Sequence, residues 1–236
     1  MITFGIRQSF QKREQVEERY ANVKVPIELA LPYYWDIYNP ARVYLGEIVD
    51  KVKSYGTRVL SIHAVQAPLH GEEFRIWGKE TADFAIALGV KAITVHPNNV
   101  NKKTNAQETA LKNLEYFADL YKNEVIFCVE TFEGKRRVFT PEEIVRFSLP
   151  MTLDVAHIGD DKKVWDLLRN YRDKIVTVHL SARNSSSQHL PIDGFCKDVV
   201  RFLAGNNWQG QVILEYLPEF HDKLIPDLES VKAMQV

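Results

Sequence analysis

One pattern is written six times into this chain: a few β-branched or aliphatic residues, then a histidine or a carboxylate. It reads SIHA (Ser61–Ala64), TVHP (Thr94–Pro97), CVET (Cys128–Thr131), MTLDVAHIG (Met151–Gly159), TVHL (Thr177–Leu180) and ILEY (Ile213–Tyr216). Short apolar runs of this length are buried strands. Ion-binding side chains fit poorly inside such a run and well at its end. The repetition asks for a fold in which successive strand ends meet around one cavity.

The rest of the chain supplies the spacers. Strands are expected at Ile2–Ile6, Val25–Leu31, Arg58–Ala64, Lys91–Pro97, Glu124–Thr131, Met151–His157, Ile175–Ala182 and Gln211–Leu217. A polar helix is expected at Gln11–Arg19. Leu45–Tyr55 carries Leu45, Ile48, Val49 and Val52 at helical spacing, with Gly56 as its cap. Further helices are expected at Phe74–Leu88, Ala106–Tyr121, Lys162–Tyr171 and Cys196–Ala204. Thr140-Pro141-Glu142-Glu143 reads as an N-cap, a first-turn proline and acidic residues that open a short helix to Phe147. The tail from Leu224 is expected to be helical after a break at Pro226. Eight strand–helix units imply parallel strands, and eight in 236 residues is the size of one (β/α)8 TIM barrel, a single α/β domain over 1–236. A doubly wound open sheet spreads its strand ends along a line, so it explains their convergence less well.

Composition narrows the function classes. A formal net charge of −1 provides no global field for nucleic acid or an anionic membrane. Cys128 and Cys196 form no CxxC and read as reduced thiols. No apolar run approaches the roughly 18 residues needed to span a bilayer. The start, MITFGIRQSF, lacks a basic segment followed by an apolar signal core. The expectation is a cytoplasmic protein without a membrane partner.

In a TIM barrel, active sites sit at the C-terminal ends of the strands. Strands three to eight end there in His63, His96, Glu130, Asp154, His179 and Glu215. His157 lies just past strand six and His189 in the loop after strand seven. Imidazoles and carboxylates are zinc ligands, or manganese ligands where carboxylates dominate. Five of the seven histidines fall at or just past strand ends, which chance placement explains poorly. His70 and His221 are left as surface residues. Three carboxylates and three histidines exceed the roughly four ligands of one zinc. Two ions sharing a bridging carboxylate would use them all, and that arrangement hydrolyses phosphoesters. With one ion, two carboxylates facing each other across a sugar would instead move protons on and off carbon.

The ordered set SIHA, TVHP, VET, LDVAH, VHLSA, HLPIDGF and ILEY resembles the xylose isomerase-like TIM-barrel superfamily over nearly the whole chain. That group includes endonuclease IV and the sugar-phosphate isomerases and epimerases. By analogy with the endonuclease, the resemblance implies one zinc on His63, His96 and Glu130. A second would lie on Glu130, Asp154, His179 and Glu215, and a third at His157 and His189. The endonuclease has an aspartate two residues before the histidine matched by His189; this chain has Ser187. In the isomerase branch, Glu130, Asp154, His179 and Glu215 match a single-metal tetrad, for which manganese or magnesium would serve. The implied catalytic residues are Glu130, Glu215 and His157. The implied substrates are a small sugar or sugar-phosphate, or abasic DNA.

Secondary candidates flank the set. Arg183, ahead of Lys135, Arg136 and Arg137, is the expected contact for a phosphate. Tyr33, Tyr34 and Trp35 follow strand two and would stack on a ring or pack under a loop. Trp77 is expected in the core, Glu28 as a buried paired carboxylate, and Asp193-Gly194 as a turn.

Overall fold

The computed structural model describes residues 1–9, 25–31, 49–50, 52–98, 105–122, 124–134 and 137–235. The expected helix at Gln11–Arg19, the first part of the one at Leu45–Tyr55, and Tyr33, Tyr34, Trp35, Lys135 and Arg136 lie outside the described residues. Eight strands close into a barrel in chain order: β1 Thr3–Ser9, β2 Ile27–Ala30, β3 Val59–His63, β4 Ala92–Val95, β5 Ile126–Glu130, β6 Met151–Asp154, β7 Ile175–Leu180 and β8 Gln211–Leu214. Every pairing is parallel, and β1 pairs with β8 to close the ring, with Phe4 opposite Val212. This is the (β/α)8 architecture that the alternation of units predicts.

Helices α1 Glu73–Ala87, α2 Ala106–Leu120, α3 Pro141–Arg146, α4 Asp161–Asn170, α5 Gly194–Gly205 and α6 Leu224–Lys232 lie between or after the strands. Residues 49–50 and 52–54 are also helical. Local chemistry sets several ends. Thr140 and Glu143 form a reciprocal capping box at α3, with Pro141 in the first turn. Asp193 is an N-cap rather than part of a free turn: its carboxylate accepts from the Cys196 N–H and α5 begins at Gly194. The tail also departs from expectation. α6 starts at Leu224 and runs through Pro226, because a proline in the first helical turn interrupts no helical hydrogen bond.

Strand alternation sorts the side chains. On β5, Phe127 and Val129 join the hydrophobic core against the helices, while Cys128 and Glu130 face the lumen. Phe127 meets Phe74 of α1 and Phe117 of α2, and Trp77, 1% exposed, packs beside Phe74 as a core residue. Gly78 is required where α1 meets α2, since a Cβ there would lie 2.8 Å from the Phe117 ring. The lumen is polar. Thr94 and Thr152 hydroxyls meet at 2.9 Å, and Ser61 donates to Glu28 Oε2 at 2.7 Å. Gly5 forms part of the wall below these groups; a Cβ would lie 2.8 Å from the Pro26 carbonyl and 2.9 Å from Leu60. Among the described residues, no helix is long and apolar enough to cross a membrane.

Candidate metal centre

The strands stop at or beside the residues expected from the sequence to carry the chemistry. His63, Glu130 and Asp154 are the last residues of β3, β5 and β6. His96 and Glu215 stand one residue beyond β4 and β8, and His179 is the penultimate residue of β7. All six are buried, from 0% to 7% exposed, so their donor atoms share one lumen. His63, His96 and Glu130 form one group whose ligand atoms lie within 4.8 Å of one another; Glu130, Asp154, His179 and Glu215 form a second, and Asp154, His157 and His189 a third. Glu130 belongs to the first two groups and Asp154 to the last two.

Loop geometry completes the third group. β6 ends at Asp154, and Asp154 Oδ1 accepts from the His157 N–H at 2.9 Å, which folds the next residues back over the strand end. His189 sits at φ +57°, a strained value for a residue with a side chain. Paired backbone hydrogen bonds between Ala182 and Leu190, each 2.9 Å, pin it there. Its Nε2 comes to 3.0 Å from His157 Nε2. Ser187 directs its hydroxyl to the Gln188 carbonyl at 3.5 Å.

The donors touch without satisfying one another. Glu130 Oε2 is 2.7 Å from His96 Nε2, Glu215 Oε2 is 3.1 Å from His179 Nδ1, and Asp154 Oδ2 is 3.2 Å from His157 Nδ1. Yet Glu130 Oε2, Glu215 Oε2, Asp154 Oδ2 and His157 Nδ1 are buried with no aligned hydrogen bond. Buried polar atoms are rarely left so. Several such atoms converging in one lumen fit a cation held between them, and both donor types suit zinc. Orientation of the rings supports this. His63 Nδ1 lies 3.1 Å from the Ala64 carbonyl, leaving Nε2 turned inward. Phe132 stacks on His157 with centroids 3.5 Å apart and meets His96 edge-on at 5.4 Å.

Protonation states follow the same logic. Burial, helped by the Arg7 charge, lowers His63 to about 4. Burial likewise lowers His189 to about 4 and brings His157 down. These rings are neutral and able to coordinate. Burial raises the Glu130 carboxyl, but His96, His179 and His63 outweigh it and hold the group well below the ordinary carboxylate range. His179 goes the other way: burial lowers it, while Glu28, Asp154 and Glu130 together lift it well above the ordinary histidine value.

One participant, Arg7, escaped the sequence reading; Glu28, expected as a buried paired carboxylate, is one. Arg7 on β1 donates to Glu215 Oε1 from the lumen wall. Glu28 on β2, 0% exposed, lies 2.9 Å from His179 Nε2 and joins a further group of possible ligands with His63, His179 and Glu215. The signal for both was a charged residue inside an apolar strand, GIRQS and PIELA. Conversely, Arg183 is engaged elsewhere, by Asp161 Oδ1 at 2.5 Å and the Val155 carbonyl at 3.0 Å. Arg137 lies over the Phe132 ring at 4.1 Å and donates to Asn98. His70, expected at the surface, is 7% exposed.

The sequence profile of the family described as xylose isomerase-like TIM barrel matches residues 27–233. No curated protein matches the chain. Among solved structures, similarity extends to 3-keto-D-glucoside 4-epimerase from E. coli, at 14% identity and a TM-score of 0.71 over 100% of this chain and 99% of that one. Endonuclease IV from Thermus thermophilus matches at 20% identity and a TM-score of 0.59, over 98% and 99%. The IOLI protein with a binding zinc atom matches at 13% identity and a TM-score of 0.66, over 99% and 96%. At these identities the likeness establishes the fold.

Proposed function

The chain belongs to the xylose isomerase-like TIM-barrel family, and we propose that it is a divalent-metal-dependent hydrolase of a sugar-linked phosphoester, working in the manner of endonuclease IV with zinc as its ion. The position of Glu130 carries this reading. Its Oε2 lies 2.7 Å from His96 Nε2 and its Oε1 lies 2.9 Å from His179 Nδ1. A carboxylate with one oxygen toward each of two donor groups is placed to bridge two ions. His63 and His96 would complete one site, and Asp154, His179 and Glu215 the other. His157 and His189 extend the array beyond Asp154 to a third.

Bound divalent ions supply Lewis acidity and an acidified water, the chemistry of phosphoester cleavage. The protein's own charges favour two ions. Glu28, Glu130, Asp154 and Glu215 are buried or nearly so, and among the described residues Arg7 is the cation paired with them. Once an ion displaces the His179 proton, so that the histidines are neutral, the excess is threefold negative. One divalent ion leaves it negative; two reverse it by one charge, which a phosphate diester matches. Arg7 lies on the lumen wall, where a substrate oxygen would compete with Glu215 for its guanidinium. Arg183, the phosphate contact expected from sequence, would first have to leave Asp161. The substrate class is a sugar-phosphate or abasic DNA.

A second reading has its own support. Glu130, Asp154, His179 and Glu215 form a complete group without His63 and His96. Glu130 and Glu215 both reach His179 Nδ1, at 2.9 and 3.1 Å, so they could serve one manganese or magnesium and act as the proton-transfer pair of a sugar isomerase or epimerase. Elemental analysis of the purified chain separates the readings. Two or more zinc ions per chain, with incision of abasic-site DNA or release of phosphate from a sugar phosphoester, supports the hydrolase. One manganese or magnesium per chain, with turnover on a ketose panel, replaces it with the isomerase. His63→Ala should cripple the hydrolase and spare the isomerase.

A further inference from the structure

The ring of His179 stands between carboxylates on two sides. Facing Nδ1 are Glu130 Oε1 at 2.9 Å, Glu215 Oε2 at 3.1 Å and Asp154 Oδ2 at 3.8 Å. Facing Nε2 is Glu28 Oε1 at 2.9 Å. A neutral imidazole has one lone-pair nitrogen and one N–H. An ion among the first three carboxylates must take the lone pair of Nδ1, which puts the proton on Nε2. His179 is 0% exposed, so bulk water does not reach that proton. Glu28 can accept it. Its Oε2 is already occupied by the Ser61 hydroxyl at 2.7 Å, which fixes the carboxylate and leaves Oε1 over. Glu28 Oε1 and His179 Nε2 each stand without an aligned hydrogen bond. The two are in contact and unsatisfied, each the other's missing partner.

We propose that Glu28 is the positioning residue of the metal centre. Its Oε1 accepts the Nε2–H of His179, holds the tautomer that presents Nδ1 to a divalent cation, and sets the ring's angle. β2 thus contributes no ligand in this scheme; it supplies the support that a coordinating imidazole needs on its far nitrogen. Ser61 on β3 anchors the carboxylate in turn. The proposal rests on the reading of His179 as a ligand, and applies equally to the hydrolase and the isomerase.

The test is zinc titration of metal-stripped protein against a chromophoric chelator, with circular dichroism and thermal melting as folding controls. Glu28→Ala is expected to weaken zinc binding by roughly 10- to 100-fold at unchanged stoichiometry. Glu28→Gln should recover part of the loss, because the amide oxygen still accepts from Nε2–H. Unchanged affinity in both variants overturns the proposal. So does loss of one zinc equivalent, which would make Glu28 a ligand itself. His179→Ala separates the two levels: if it binds zinc as the parent does, the reading of the centre fails and the role of Glu28 falls with it. If Glu28→Ala does not fold, a long-range 1H–15N spectrum of the zinc-loaded parent reads the tautomer directly. A His179 proton on Nε2 supports the assignment, and a proton on Nδ1 overturns it.

Discussion

Each barrel strand has two faces that are equally dry and differently occupied. On β7, Val178 and Leu180 belong to the hydrophobic core, while Thr177 and His179 point into the lumen; all four are 0% exposed. On β6, Leu153 and Asp154 differ in the same way. Burial therefore does not distinguish structure from function here. Satisfaction does. The outer face is filled by aliphatic and aromatic contacts, with Trp77 Nε1 of α1 an exception that stands without a partner. The inner face keeps buried oxygens and nitrogens without aligned partners. Polar groups are costly to leave unpaired, so a fold retains them where something else is to complete them.

That contrast can be broken by experiment. Glu130→Gln should lower turnover by about 10^4-fold, equivalent to about 5.5 kcal/mol of transition-state stabilisation. The metal-free fold should also lose stability, since Glu130 is a buried charge partner of the raised His179. A steady-state assay paired with a thermal melt checks this, and unchanged turnover would erase the distinction between faces. Phe117→Ala on the outer side, stripped from contact with Phe74 and Phe127, should cost about 3–5 kcal/mol in urea unfolding. Zinc affinity of the folded variant should not change.

The inner face should also respond to pH in a way the outer face cannot. Glu28, Asp154 and Glu130 outweigh burial and hold His179 protonated above the ordinary histidine range. A raised group stabilises the metal-free fold below its unfolded value, and that contribution fades as pH climbs through the folded value. A cation must displace this proton, so affinity should rise by about tenfold per pH unit until the folded value is passed. Calorimetry in buffers of different ionisation enthalpy would detect one proton released per chain; none released would remove His179 from the ligand set. Smallest of all, Thr140→Ala should cost about 1 kcal/mol through loss of the capping box, with no effect on the centre.

The sequence displays the outer face through its apolar runs and the inner face only where a run ends. His63, Glu130 and Asp154 were legible because each closes its strand. Glu28 was legible as a buried paired carboxylate but its partners were not, and Arg7 was missed, because a charge inside a strand gives no sign of which partner awaits it across the barrel. The partners are set by register, with Arg7 opposite Glu28 and Glu28 opposite Ser61. Arg183 misled for a related reason: a loop arginine looks available until Asp161, from the preceding helix, is seen to hold it. Pro226 misled through position, since a proline that would break a helix interior is harmless in a first turn.

Closure of β1 onto β8 has a consequence for the life of the chain before it is a finished barrel. Arg7 and Glu215 are 208 positions apart and meet only when the last strand seals against the first. During synthesis the nascent polypeptide carries scattered histidines and carboxylates long before it has a pocket to gather them. Any grip on a cation would then be among the final properties the molecule acquires, so half-made copies would not sequester scarce ions.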